Sequence, residues 1–445
     1  MRFYFLLGLT FLWAFFSAPP VRAIKATSIF THEYSGRFDA THFSSDGTLW
    51  ANVTSNKKIE IWDLKANKAL ATLDVGASLS NDEGIGNPLN SVVFSPDSKI
   101  IATSTGHFTS LDRHADRFKS DNTQTGNGKV QLWDARSGRL LHTIKHSAPD
   151  WQNDFYKLSF SRGGKLLAIL SPGTHRSYNS QKSQAWLFDF PVVELWNVDS
   201  GKFLRAFNYG SFALSKLDFS PNGKMLVGSG GYTASRVWDV RSGKLLHTLD
   251  GIDGVSEMDI GFASDSKTLF GRIETKMTEP FPAYEAWAIW DARTGKILRA
   301  LTQFDSQAIL CADGKLLIDR KDKTIKAYNA LTGKLLYSIG KIEDLEIGLD
   351  EDHRIWDGIR FHSYGDAILH PSSDGRYVAV NYYSTKEKKQ VSLVFAVKRN
   401  ATAFKISDFV WCQFASNRPL LVATKNVSGS NETSNDTLQV WSLKP

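Results

Sequence analysis

The 445-residue chain carries 53 lysines and arginines against 46 aspartates and glutamates, a formal charge of +7 at pH 7. Its basic residues are scattered among turns rather than gathered in a run, which argues against nucleic acid as a partner. Apolar residues make up 42% of the chain, with 13 Trp, 28 Phe and 33 Gly, a composition that excludes a disordered chain and suits a β-rich core.

The chain opens with MRFYFLLGLTFLWAFFSAPPVRAIKA: one Arg, an apolar run, a Pro-Pro break, then Val21 and Ala23 at the −3 and −1 positions of a cleavage site. This pattern predicts a secretory signal peptide over 1–23 and a mature chain that begins near Ile24 and occupies 24–445 as one domain. Export to the periplasm or the cell exterior follows, with no membrane span after cleavage. A retained anchor is the alternative, but the run is short for a span. Loss of Arg2 and Arg22 takes the formal charge from +7 to +5.

Two short signatures then recur to the C-terminus, which marks a repeat protein. The first is a tight turn after an apolar segment: HFSSDGTL at 42–49, VFSPDSKI at 93–100, SFSRGGKL at 159–166 and DFSPNGKM at 218–225. It recurs as GFASDSKT, ILCADGKL, HPSSDGRY and QFASNRPL. The second is an apolar strand that ends in an aromatic residue before a Gly turn: IEIWDLKANKAL, VQLWDARSGRLL, VELWNVDSGKFL, SRVWDVRSGKLL, AIWDARTGKIL and IKAYNALTGKLL. VSLVFAVKRNATAF and the terminal LQVWSLKP are worn copies.

Asp or Asn beside Gly supports chain reversal, and Val, Ile, Leu and Trp suit a buried pleated strand, so each unit reads as about four short strands. One such sheet cannot bury both its faces, and units stacked radially into a β-propeller can. The fold class expected is therefore all-β, a single propeller of four-stranded antiparallel blades. The aromatic strand endings at Trp62, Trp133, Trp196, Trp238, Trp290, Tyr328, Phe395 and Trp441 predict eight blades. Seven is the alternative should the worn seventh unit be an insertion. The last unit lacks an outer strand, and residues 25–34, KATSIFTHEY, are expected to supply it and close the ring.

The pairs Trp62-Asp63, Trp133-Asp134, Trp238-Asp239 and Trp290-Asp291 stand in register, and through them nearly all of the chain after residue 25 resembles the WD-repeat β-propeller family. The resemblance is to an exported member with degenerate repeats. Two departures bear on that family's buried hydrogen-bond network: the Gly-His pair that usually opens a repeat is missing, and the Asp in the turn before the Trp strand occurs convincingly only at Asp322. Cys311 and Cys412 fall in innermost strands of blades that are not neighbours, so no disulfide is expected between them. Of five Asn-x-Ser/Thr sequons, at Asn52, Asn400, Asn426, Asn431 and Asn435, the first is expected in a strand.

In an up-and-down blade the turns after strands one and three share one face of the disk, and the connections after strands two and four share the other. Every first and third turn here is tight. The long segments 76–87, 105–128, 172–191, 272–286 and 341–365 all fall in the second class, which predicts a decorated recognition face. In the 105–128 loop, His107, Asp112, Arg113, His114 and Arg117 are candidate binders, although their spacing matches no metal motif. His175, Arg176, Tyr178 and Trp186 in the next loop, with Phe281, Tyr284 and Trp287 from blade 5, offer aromatic and Arg anchors of the kind found at protein interfaces, or rings packed on neighbouring blades. Asp352 and His353 belong to an acidic stretch without the alternating pattern of a calcium loop. Trp356-Asp357 lacks the Gly turn and is read as coincidental.

No G-x-S-x-G elbow is present, and the vicinal cysteine pair of eight-bladed quinoprotein dehydrogenases is missing. The expectation is a non-catalytic scaffold or ligand-binding propeller, monomeric, with no cofactor and no metal, whose partner is another protein or an envelope ligand. A propeller enzyme of quinoprotein or hydrolase type is the alternative.

Overall fold

The computed structural model describes Lys25 to Lys444, apart from residues 35–40, 55–57, 76–88, 106–128, 145–156, 172–173, 180–183, 190–191, 209–213, 215, 230–234, 250–254, 276–284, 302–303, 305–307, 312–313, 322, 343–353, 357–360, 364–367, 373, 385, 399–400, 408–410, 415–419 and 426–435. The described residues form eight four-stranded antiparallel sheets, with two additional two-stranded hairpins. Blade 1 comprises Thr41–Phe43, Leu49–Val53, Ile59–Asp63 and Lys68–Leu73, ordered from the axis outward. Blades 2 to 7 repeat the pattern from Leu89, Lys157, Lys216, Val255, Ile309 and Ile368. Blade 8 takes Trp411–Phe414, Leu420–Lys425 and Asp436–Lys444 from one end of the chain and its outer strand, Lys25–Tyr34, from the other, as expected.

Each turn type is built by its own side chains. In the first turn of blade 1 the Asp46 carboxylate accepts hydrogen bonds from the Ser44 hydroxyl (2.7 Å) and the Thr48 N–H (3.0 Å), while Gly47 supplies φ 65°. Blades 2 and 5 place Ser98 and Ser266 at that left-handed position, at φ 61° and 59°. Their hydroxyls accept hydrogen bonds from the neighbouring blade, from Asp46 N–H at 3.1 Å and Asn222 N–H at 3.0 Å, so the unfavourable backbone is offset by a bond between blades.

The third and fourth strands of every blade are joined across a β-bulge at one position. In blade 4, Trp238 pairs with Leu245 and Val237 with His247, leaving Leu246 as the extra residue on the outer strand. Blade 8 does the same with Ile29, between Ser28 and Phe30, although its outer strand comes from the other end of the chain.

The core lies between blades rather than within one. Leu49–Val53 is buried along its whole length, because Leu49, Ala51 and Val53 face blade 2 while Trp50 faces blade 8. Eight apolar clusters follow one per interface, and the last joins Phe30, Trp50, Leu420, Leu438 and Val440 across the ring closure. There the Phe30 and Trp50 rings meet edge to face at 5.6 Å, and His32 lies 4.0 Å from Trp62. The seventh unit is a true blade, Ile368–Pro371, Tyr377–Ser384, Lys389–Ala396 and Ala401–Ser407, with Phe395 buried where blade 6 has Tyr328 and blade 8 has Trp441. The seven-blade alternative is excluded.

Expected insertion boundaries differ by one residue at Thr105 and Lys341, which end strands, and by more in blade 5. Residues 272–275 and 285–286 continue blade 5 rather than belonging to its insertion, with Arg272 paired to Trp287 and Glu274 to Glu285. Trp287 is buried in the interface with blade 6, so of its two readings it takes the packing one.

Candidate functional site

Antiparallel order fixes the two faces. Connections from first to second and from third to fourth strands emerge on one face and never exceed five residues, as between Phe43 and Leu49 or Asp63 and Lys68. On the other face lie the strand ends joined by the connections between Leu73 and Leu89, Thr105 and Lys129, Ser171 and Val192, Thr275 and Glu285, and Lys341 and Ile368. The spans between Ile144 and Lys157 and between Lys425 and Asp436 add two more long connections to that face.

Two of these connections form hairpins outside the blades. Thr174–Asn179 pairs with Gln184–Asp189 in the connection between the second and third strands of blade 3, setting His175 opposite Phe188, Arg176 opposite Leu187, Tyr178 opposite Ala185 and Ser177 opposite Trp186. Arg354–Trp356 pairs with Phe361–Ser363 between blades 6 and 7, which places Trp356 outside any blade, in keeping with its reading as coincidental. Thus four of the candidate binding residues, His175, Arg176, Tyr178 and Trp186, share one hairpin. His107, Asp112, Arg113, His114, Arg117, Phe281, Tyr284, Asp352 and His353 lie outside the described residues, as do residues 1–23 and Asp322.

The repeat-signature residues have structural work. The Asp134 carboxylate accepts hydrogen bonds from Ser137 N–H (2.8 Å) and the Ser137 hydroxyl (2.7 Å), and these bonds hold its carboxyl below the usual carboxylate range. Asp239 is held down in the same way by Ser242, first through its hydroxyl (2.7 Å) and then its N–H (2.6 Å). Thr294 caps Asp291 likewise, and Asp63 accepts Lys65 and Ala66 N–H. The indoles of Trp62 and Trp196 donate to Glu60 (3.3 Å) and Glu194 (3.1 Å), whereas Trp133 donates to Thr103 (3.1 Å). Trp238, Trp290 and Trp441 are buried at blade interfaces. Asn52 is buried in its strand, so its sequon is closed to modification in the folded chain.

The axis carries polar residues that sequence reasoning missed. His42, partly exposed on the inner strand of blade 1 but enclosed by protein on most sides, has its pKa pushed down to about 4, chiefly by burial and then by the charge of Lys157 on blade 3. On blade 4, burial pushes the Asp218 carboxyl up, although it accepts the Phe262 N–H at 2.8 Å and lies near Lys216. Ser229 likewise accepts Ile260 N–H at 3.1 Å. These bonds cap the free edge of the inner strand of blade 5, a local role that leaves no periodic trace in the sequence.

Among the described residues no three His, Cys, Asp or Glu side chains gather where they could hold a metal, and no helix is long and apolar enough to cross a membrane. Cys311 is buried at the blade 6 turn, and Cys412 lies on blade 8, with blade 7 between them.

No family model matches the chain, and no curated protein matches it. Among solved structures, the crystal structure of the computationally designed Ika8 protein aligns over 93% of this chain and 98% of its own, at a TM-score of 0.54 and 16% identity. A likeness at that identity establishes the propeller architecture alone.

Proposed function

We propose that the chain is an exported WD-repeat propeller that works without catalysis, as a scaffold binding another protein through its loop-bearing face. The observation that carries this reading is the segregation of every long connection to one end of the blade strands, against turns of five residues or fewer at the other. Long loops on a rigid scaffold are where binding residues concentrate. The hairpin inserted in blade 3 brings Arg176, Tyr178 and Trp186 into one element, and residues of these types anchor protein interfaces. Trp62-Asp63 and its three register mates support the WD-repeat assignment, since each Asp caps the turn that its Trp strand enters.

The test is affinity capture from the host's envelope and secreted fractions, using the intact chain and a variant in which 106–128 and 172–191 are replaced by tight turns. One stoichiometric protein partner retained by the intact chain alone is the expected result. A partner held equally by both forms refutes the assignment to this face, and a bound small molecule with no protein partner refutes the scaffold reading. N-terminal sequencing of the same material tests export, with a start near Ile24 expected.

A further inference from the structure

The ten large hydrophobic side chains most exposed among the described residues all lie on outer strands or in a turn that leads into one. Chance would scatter them. Their placement follows from the bulge shared by all blades, whose extra residue on the outer strand is Leu204 in blade 3, Leu246 in blade 4, Leu298 in blade 5 and Leu336 in blade 6. These leucines are 39 to 59% exposed. A bulge sets two successive residues against one partner and disrupts the strict alternation of faces, so the residue before it is exposed as well: Phe203 at 40%, Leu245 at 47% and Leu335 at 48%.

Each pair follows directly on a third turn, so the band runs along the perimeter of the flat face. Every such turn from blade 2 to blade 6 ends in an exposed cation: Arg139, Lys202, Lys244, Lys296 and Lys334. Blades 2, 4 and 5 add a second at Arg136, Arg241 and Arg293, while the single Asp in each of those turns is occupied in capping it; Arg136 also reaches Asp63 of blade 1 at 3.5 Å, and blade 3 sets an exposed Asp199 near Lys202. The perimeter of the flat face is therefore an apolar band with a cationic margin across blades 2 to 6, with two exposed apolar side chains on the outer strands of blades 3, 4 and 6 and one on those of blades 2 and 5, where Leu141 and Ile297 pack on the core.

We infer that this perimeter docks on a lipid bilayer surface bearing anionic headgroups. Three features select that occupant. The cations complement anionic headgroups, and Lys and Arg stems lie along apolar surface while their charges reach the phosphate layer. The turns of that face are uniformly short, so the band meets a plane without obstruction. A protein epitope is irregular, whereas an apolar patch beside a cation recurring on five successive blades matches a partner that is uniform along its own surface. Docking of this kind leaves the loop-bearing face directed away from the bilayer.

The experiment is co-sedimentation of the purified chain with vesicles of phosphatidylcholine alone and of phosphatidylcholine with phosphatidylglycerol in equal parts. It compares the parent with Leu245→Ser/Leu246→Ser/Leu335→Ser/Leu336→Ser and with Lys202→Gln/Lys244→Gln/Lys296→Gln/Lys334→Gln. Residues 1–23, if retained, contribute equally to every form, so the parent-to-variant ratio isolates the band. The expected result is binding to the anionic vesicles only, weakened by salt, reduced about fivefold per lysine removed and at least about tenfold by the serine variant. The replaced side chains are exposed, so unfolding transitions should stay at parental values. Equal partition onto both vesicle types, or a serine variant that binds like the parent, overturns the inference. A parental dimer in solution that the serine variant abolishes, without anionic-vesicle binding, assigns the band to a second copy instead. Shortening 106–128 and 172–191 should leave vesicle binding unchanged, which separates this outcome from failure of the partner-binding reading.

Discussion

Tight seating of each third turn on the blade before it can be measured with three Gly→Ala substitutions that share one backbone state, Gly138 and Gly201 in third turns and Gly223, as the reference, in the first turn of blade 4. Gly223, Gly201 and Gly138 have φ of 69°, 62° and 67°, so an L side chain at any of them costs about 1–2 kcal/mol through the left-handed conformation alone. Their surroundings differ. A Cβ at Gly223 meets nothing within 4 Å, whereas at Gly138 it falls 2.5 Å from Ala71 Cβ on the outer strand of blade 1. Ala71 cannot swing aside, because its Cβ is fixed by the backbone, so the blades must part at a further cost of about 1–3 kcal/mol. Gly201 is intermediate: its Cβ meets the His142 ring at 2.7 Å, and the ring can rotate if it gives up donation from Nε2 to the Asp199 carbonyl, about 1 kcal/mol. The expected order of destabilisation in urea unfolding, followed by tryptophan fluorescence, is Gly223→Ala, then Gly201→Ala, then Gly138→Ala, with the first and last separated by about 2 kcal/mol. Equal losses at all three would show that only the backbone state matters, and the close packing of turn on blade would be wrong.

Three other outcomes follow from the buried groups. His42 titrates near 6.5 when unfolded and about 4 when folded, so the unfolded chain binds the extra proton and stability falls as pH drops from 6.5 to 4, by up to about 3 kcal/mol; His42→Gln should flatten that part of a urea-midpoint profile. Asp218 behaves oppositely, since its folded pKa is raised and stability declines as pH rises through the interval above 3.8. Asp218→Asn keeps an acceptor for Phe262 N–H and should be at least as stable as the parent at pH 7, with the gap closing near pH 4; a variant weaker than the parent at both pH values would contradict this. Phe30→Ala should cost about 3–4 kcal/mol and speed hydrogen exchange in Asp436–Lys444, and unchanged exchange there would show that the seam does not depend on this ring.

The blade count was legible because each blade needs the same two reversals, and reversals demand particular residues: a Gly or Ser at positive φ and an Asp or Asn to cap the turn. Even the worn seventh copy is betrayed by Phe395 in the Trp position. Ring closure by 25–34 followed from counting strands. The extent of blade 5 did not, since Arg272, Glu274 and Thr275 are polar and read as loop, although they continue the ladder to Glu285. Nor did the axial groups, because His42, Lys157 and Asp218 act across blades and share no period. At the candidate site, sequence order assigned the long connections to one face, and pairing within 174–189 depends on register that composition does not encode.

The bulge connects these observations. Outer strands are the open edges that the closed ring turns outward, and each presents unpaired N–H and C=O groups to neighbours in solution. An extra residue at one place in all eight outer strands bends each edge and breaks its regular spacing, which guards against edge-to-edge pairing. The same kink re-aims the residue it inserts, and edge protection alone would be served by any residue there. A polar side chain would be better suited to water, yet Leu, or Ile29 on the strand that arrives from the other end of the chain, occupies the position in every blade except the seventh, which has Ala403. Leu70 and Leu141 pack against the core in blades 1 and 2, whereas protection of the edges accounts for the bulge in blades 3 to 6 but not for an aliphatic occupant that stays exposed there, which the proposed docking does.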